Sequence, residues 1–238
     1  MNAKSKITPG VVLLCLAGTG LWAGTKLQFG LSFTPGLPTG EFRDNLGRNA
    51  WGGEFTAAYR LAGSPVLVGT SFGLMAYGWQ SRDEWLSPTI PEVLVDVRTV
   101  NAVVLWNVFL RIQPPQGRLR PYLDVFAGLH HLTTDTSVHD DYAWDDEHSW
   151  SSNNYRDTTF SYGAGAGVML PLARFVNARS GSMLTSLDLD LGVRYVKGGR
   201  AEYLVEGSLF RRGDSLFYDV RESETSLVKL VIGLSVTF

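Results

Sequence analysis

Cysteine is almost missing from this chain: Cys15 is the only one in 238 residues. A disulfide-stapled scaffold is therefore excluded. An excess of basic charge is missing too, since 21 Lys and Arg stand against 23 Asp and Glu. That balance leaves no electrostatic footprint for nucleic acid. No run of 18 apolar residues follows the N-terminal segment, so membrane-spanning helices are excluded there. Repeats at solenoid periods are absent. No cofactor-binding motif occurs, and no cofactor is expected.

The N-terminus is organised differently from the rest. Met1–Lys6 carries two lysines, and Val11 to Ala23 is apolar. A basic start, a short apolar stretch and small residues at its exit form a secretory signal peptide. The apolar stretch falls short of the roughly 20 residues that a spanning helix needs. Residues 1–24 are therefore assigned to a signal peptide and residues 25–238 to one domain. Leu14 precedes Cys15 where a lipoprotein signal requires a small residue, so no lipid anchor is expected. A cleaved chain would be exported with no cysteine at all, which suits a large self-sufficient barrel.

What is present, again and again, is period two. "KLQFGLSF" places Leu27, Phe29, Leu31 and Phe33 on one face. "WGGEFTAAYRL" sets Trp51, Phe55, Ala57 and Tyr59 against Glu54, Thr56 and Arg60. Segments beginning near Val66, Val100, Tyr122, Thr159 and Ser186 behave alike, and "KLVIGLSVTF" closes the chain in the same way. Eight such segments are the pattern of an all-β chain. The expected lipid-facing residues include Leu27, Phe55, Val104, Val125, Leu189 and Leu234.

Two architectures fit eight alternating strands. A soluble ligand-binding barrel turns its apolar face inward, whereas an outer-membrane barrel turns it outward to lipid. Three features select the second. The polar face mixes glycines with full charges. Short links near 62–65 and 113–119 alternate with long ones near 34–50, 80–97, 132–157 and 197–224. The link near 171–183 is longer than the pattern prefers, and a short helix would fill it. Aromatics gather near strand ends, as an interfacial girdle requires: Trp51, Tyr59, Tyr77, Trp79, Tyr122, Tyr162 and Tyr195. The fold class is thus an eight-stranded antiparallel transmembrane β-barrel with short periplasmic turns and long extracellular loops.

The final strand must pair with the first, because lipid tolerates no open sheet edge. Gly233, Val236 and Phe238 in "VIGLSVTF" resemble the C-terminal assembly signal of bacterial outer-membrane proteins. Val231 departs from that signal, which usually has a polar residue there. With the signal peptide and the eight strands, the mature chain resembles the small eight-stranded bacterial outer-membrane β-barrel family. The resemblance implies the outer membrane of a Gram-negative bacterium and insertion by the barrel-assembly machinery. It also implies contact with outer-membrane lipid and lipopolysaccharide, as a monomer.

Three places compete for function. Inward-facing Glu54, Asp124, Asp188 and Asp190 share the lumen with Arg60, Arg111, Arg194 and Lys229. Buried charges must be paired, so this set is expected to plug a lumen already narrow at eight strands. The alternative is a narrow pore or a carrier of small apolar molecules, favoured by an apolar inner mouth at Met75, Tyr77 and Phe109. The second place is the segment 130–157, which holds all four histidines. His139, Asp140, Asp141, Asp145, Asp146 and His148 are weak candidates for a divalent cation, since no zinc or EF-hand spacing occurs. Catalysis on lipid is the third. His148 and Ser149 are adjacent, and adjacent strand residues point to opposite faces. The chain is therefore expected not to be an enzyme, and a structural or surface-interaction barrel is the leading expectation.

Overall fold

The computed structural model describes residues 26–87, 90–139, 150–174, 185–212 and 215–238. The alternating segments become strands, each antiparallel to its neighbours. In chain order the elements are β1 (Lys26–Phe33), β2 (Gly36–Pro38), α1 (Glu41–Leu46), β3 (Trp51–Arg60), β4 (Val66–Ser87) and β5 (Ile90–Ile112). There follow β6 (Arg120–His139), β7 (Trp150–Arg174), β8 (Ser186–Gly198), β9 (Arg200–Arg212), β10 (Ser215–Glu224) and β11 (Leu227–Thr237).

Among the described residues, eight strands pair in the order β1-β3-β4-β5-β6-β7-β8-β11, and β11 pairs back onto β1. The ring is closed, so the ladder leaves no edge in its wall. Closure reaches the last residue: the Phe238 N–H donates to the Leu27 carbonyl at 2.8 Å. Leu31 lies opposite Leu234, and Phe29 opposite Val236. Short β2 extends the wall beyond β1 by pairing with Leu227–Lys229 of β11.

Parity decides what faces outward. Leu31, Phe72, Trp106, Val108, Leu123, Val125 and Phe160 are all exposed, Leu123 at 64%. Of the six residues expected to face lipid, Leu27, Phe55, Val125 and Leu234 are exposed, and Val104 and Leu189 are half-buried. An apolar skin of this extent is unstable in water and suited to a hydrocarbon surround. Phe29 links the seam by stacking on Phe55 and meeting Phe238 edge-on, with centroids 6.2 and 5.9 Å apart.

Several links expected to be loops are built differently. β4, β5, β6 and β7 have 22, 23, 20 and 25 residues, well beyond the 9–11 that cross a bilayer. The top of β3 pairs Trp51 with Ala76, so the outer part of β4 continues past it alongside β5. Much of 80–97 and 132–157 is therefore hairpin, and 197–224 is largely β9 and β10. "EVLVDVRTV" shows why: Val93, Val95, Val97 and Thr99 alternate with Glu92, Asp96 and Arg98, and β-branched residues favour strand whatever the solvent. His130 and His131, expected in a loop, stand within β6. The expected filling of 171–183 falls mostly outside the described residues, although β7 itself runs on to Arg174.

The link 34–50 holds α1, bounded by Gly40 at φ 58° and Gly47 at φ 63°. Gly47 takes the left-handed C-cap conformation and donates its N–H to the Arg43 carbonyl. This short helix carries Phe42, which is buried.

Candidate functional site

Inside the barrel the strands bring charges together from across the lumen. Glu54 on β3 accepts a bond from Arg194 Nη1 on β8 at 2.5 Å and another from Lys229 Nζ on β11. Arg194 also reaches Asp124 on β6, at 3.0 Å from Nη2 and 3.2 Å from Nε. The same carboxylate oxygen accepts from Arg111 Nη2 on β5 at 2.9 Å. Arg111 Nη1 lies 3.9 Å from Asp190, and the Tyr122 hydroxyl donates to Asp190 at 2.7 Å. Three carboxylates thus meet three cations, and the group is neutral. Every member is buried, with Glu54 only 1% exposed. Such a network survives in low dielectric because its charges balance, and of its buried polar atoms Arg111 Nε and Asp124 Oδ1 make no hydrogen bond among the described residues.

A second pair lies towards the short-turn end. Asp188 binds Arg120 and accepts from the Ser186 hydroxyl at 2.9 Å. Arg60, expected to meet a carboxylate, instead donates from Nη1 to the Gln113 carbonyl at 2.8 Å. Arg194 likewise takes its carboxylates, Glu54 and Asp124, from other strands, although Asp188 and Asp190 share its own strand and parity. Asp190 and Asp188 lie four and six residues from Arg194, about 13 and 20 Å along the strand, whereas long side chains from different walls meet inside so narrow a barrel.

Two network members escaped sequence reasoning. Arg120 sits at the start of β6, one residue past the short link expected at 113–119. Tyr122 was assigned to the aromatic girdle, yet it is buried and stacks beneath Arg111, whose guanidinium carbon lies 3.8 Å from the ring centre. Its parity with Asp124 was the signal that identifies it as inward. Tyr77 is corrected in the same way: it is buried in the lumen.

Glycine makes the space. A Cβ on Gly165 would lie 2.5 Å from both Arg194 Cγ and Asp124 Oδ1, and one on Gly167 would lie 2.3 Å from the Tyr122 hydroxyl. A Cβ on Gly163 would lie 2.6 Å from the Phe126 ring. "GAGAG" on β7 is thus a wall stripped bare where bulky side chains from β6 and β8 cross it.

Towards the long-loop end the lumen turns apolar. Met75, Val103, Leu105 and Leu132 are buried there. Phe42 of α1 meets Tyr203 of β9 edge-on at 5.2 Å, and both meet Tyr77, at 6.1 and 6.3 Å. The Tyr203 hydroxyl accepts from Asn45 Nδ2 at 2.9 Å and bonds the Ser223 hydroxyl at 2.7 Å. Helix α1 and the β9–β10 hairpin therefore cover the mouth. Below them His130 is fully buried, with Nδ1 3.3 Å from the Thr225 hydroxyl. Of the apolar mouth expected at Met75, Tyr77 and Phe109, Met75 and Tyr77 pack there, whereas Phe109 lies lower, against Arg111 and Arg194.

Gly233 and Val236 lie in β11, and Phe238 follows it at the seam with β1. Of the weak cation candidates, Asp140, Asp141, Asp145, Asp146 and His148 lie outside the described residues, and His139 ends β6. Among the described residues no group of His, Cys, Asp and Glu is placed to hold a metal ion.

A closed ring of eight antiparallel strands, apolar outside and charged inside, is a small transmembrane β-barrel of the outer-membrane type. The sequence matches no protein-family model and no curated relative. Among solved structures it is similar to Neisserial surface protein A, with 14% identity over 90% of this chain and 96% of that one, at a TM-score of 0.37. A major outer membrane protein from Thermus thermophilus shares 13% identity over 89% and 99% of the two chains, at a TM-score of 0.42. The N-terminal β-barrel domain of Pseudomonas aeruginosa OprF shares 13% over 90% and 97%, at 0.32. The barrel assignment rests on the pairing register and the outward apolar skin of this chain.

Proposed function

We propose that this chain is a non-catalytic barrel of the Gram-negative outer membrane, with a closed lumen and a structural or surface-interaction role. The observation that carries this reading is the double filling of the lumen. A neutral set of three carboxylates and three cations occupies the middle. Phe42, Tyr77 and Tyr203 seal the long-loop end. The strand extensions of β4–β7 then serve as the surface that meets partners outside the cell, and the short turns face the periplasm. Residues 1–24 act as the export signal, and Gly233, Val236 and Phe238 as the handle for the barrel-assembly machinery. The surrounding partners are phospholipid and lipopolysaccharide. Planar-bilayer recording on the purified protein tests the closed lumen. A silent bilayer with verified insertion is expected, and a stable, long-lived ion-conducting state would favour the narrow pore.

A further inference from the structure

The short-turn end of the barrel is basic. Among the described side chains there, Arg60, Arg118, Arg120 and Arg174 stand against the single carboxylate of Asp188. Arg60 and Arg120 lie in the lumen, but Arg118 and Arg174 are exposed at the rim. These two line one shallow pocket with Pro171, Leu172 and Ala173. Arg174 is held in place, since its guanidinium donates to the Gly117 carbonyl of the neighbouring turn. The apolar skin continues up to the same rim: Leu119 is 61% exposed and Leu172 57%.

We propose that this pocket binds the phosphate of an anionic phospholipid in the leaflet that surrounds the short turns. The occupant must be charged at one end and apolar at the other. Arg118 and Arg174 supply two cations without a carboxylate in the pocket lining, and Leu119 and Leu172 supply the apolar flank where the acyl chains begin. A free phosphate would use the arginines and leave the exposed leucines without purpose. A soluble anionic glycan or peptide would do the same. Forked guanidinium donors suit a phosphate oxygen pair. The inference rests on the membrane reading given above.

The test uses the full barrel reconstituted in phosphatidylcholine bilayers at low salt, with spin-labelled phosphatidylglycerol or phosphatidylcholine as probe. Insertion is verified first by heat-modifiable gel mobility. The motionally restricted fraction then gives the relative association of each lipid. A basic residue at a membrane surface strengthens binding of an anionic lipid about fivefold. Wild type is therefore expected to prefer phosphatidylglycerol, with the preference reduced about fivefold in R118A and further in R118A/R174A. R118K, which keeps the charge, is expected to retain most of it. R43A, at the opposite end, is expected to match wild type. An inserted wild type with equal association for both lipids would overturn the proposal, as would an unaltered preference in R118A/R174A. So would loss of the preference on adding soluble peptidoglycan fragments, which would make the pocket a glycan or peptide site. Failure of the wild type to insert would overturn the membrane reading along with it.

Discussion

At position 167 the inner wall of β7 has no room for a methyl group. A Cβ there would lie 2.3 Å from the Tyr122 ring and hydroxyl, and 2.6 Å from the Leu191 carbonyl. Overpacking of this kind costs about 1–3 kcal/mol. Gly167→Ala is expected to lower the urea midpoint of the detergent-folded protein, while Gly53→Ala, whose Cβ meets only a backbone oxygen at 3.5 Å, is expected to leave it near wild type. Equal midpoints would contradict the packed lumen. Arg194 holds Glu54 and Asp124 at once. Arg194→Ala leaves both carboxylates buried with one fewer cation, and losing one partner of a buried pair costs about 3–5 kcal/mol. Equilibrium unfolding checks it; an unchanged free energy would place Arg194 in contact with water. Which residues face inward was legible, because parity alone assigns Glu54, Asp124, Asp190, Arg194 and Lys229 to one side. Which of them touch was not. Partners such as Glu54 and Arg194 are 140 residues apart, and their meeting depends on barrel diameter and stagger, which no local pattern encodes.

Among the elements, β11 closes the ring, and its seam ends on Phe238, which packs edge-on against Phe29. Phe238→Asp is expected to reduce the inserted fraction in cell envelopes, and undiminished insertion with normal heat-modifiable mobility would contradict its role. The β9–β10 hairpin is a separate case. Its hold on the barrel mouth includes Tyr203, packed on Phe42 and Tyr77, beside hydrogen bonds that join Glu202 to Asp157 and Tyr155 on β7. Tyr203→Ala is expected to loosen this cover and leave the barrel wall intact, because the eight-stranded ladder does not include β9. Limited proteolysis should then cut within 200–224 much faster than in wild type, with the barrel fragment still resisting. Equal cutting rates would mean that the hairpin is anchored elsewhere. The spanning strands were legible because lipid on one face and a polar lumen on the other force strict alternation. The outer hairpins were not, because they lack the row of large apolar residues that lipid demands of the spanning segments, although Val93, Val95 and Val97 alternate with charge.

The whole molecule is inside out relative to a soluble protein, with lipid against its apolar face and charge at its centre. β5 offers a clean register for testing this arrangement. Val104, Trp106, Val108 and Leu110 point one way, and Val103, Leu105, Asn107 and Phe109 the other. Single cysteines placed at these eight positions in a Cys15→Ser background accept a nitroxide label in reconstituted bilayers. Oxygen, which concentrates in hydrocarbon, and a water-soluble nickel chelate then report what surrounds each label. Labels at the even positions are expected to show high oxygen collision with little chelate collision, and labels at the odd positions low collision with both. The opposite phase, or collision rates with no period of two along β5, would contradict the inside-out barrel.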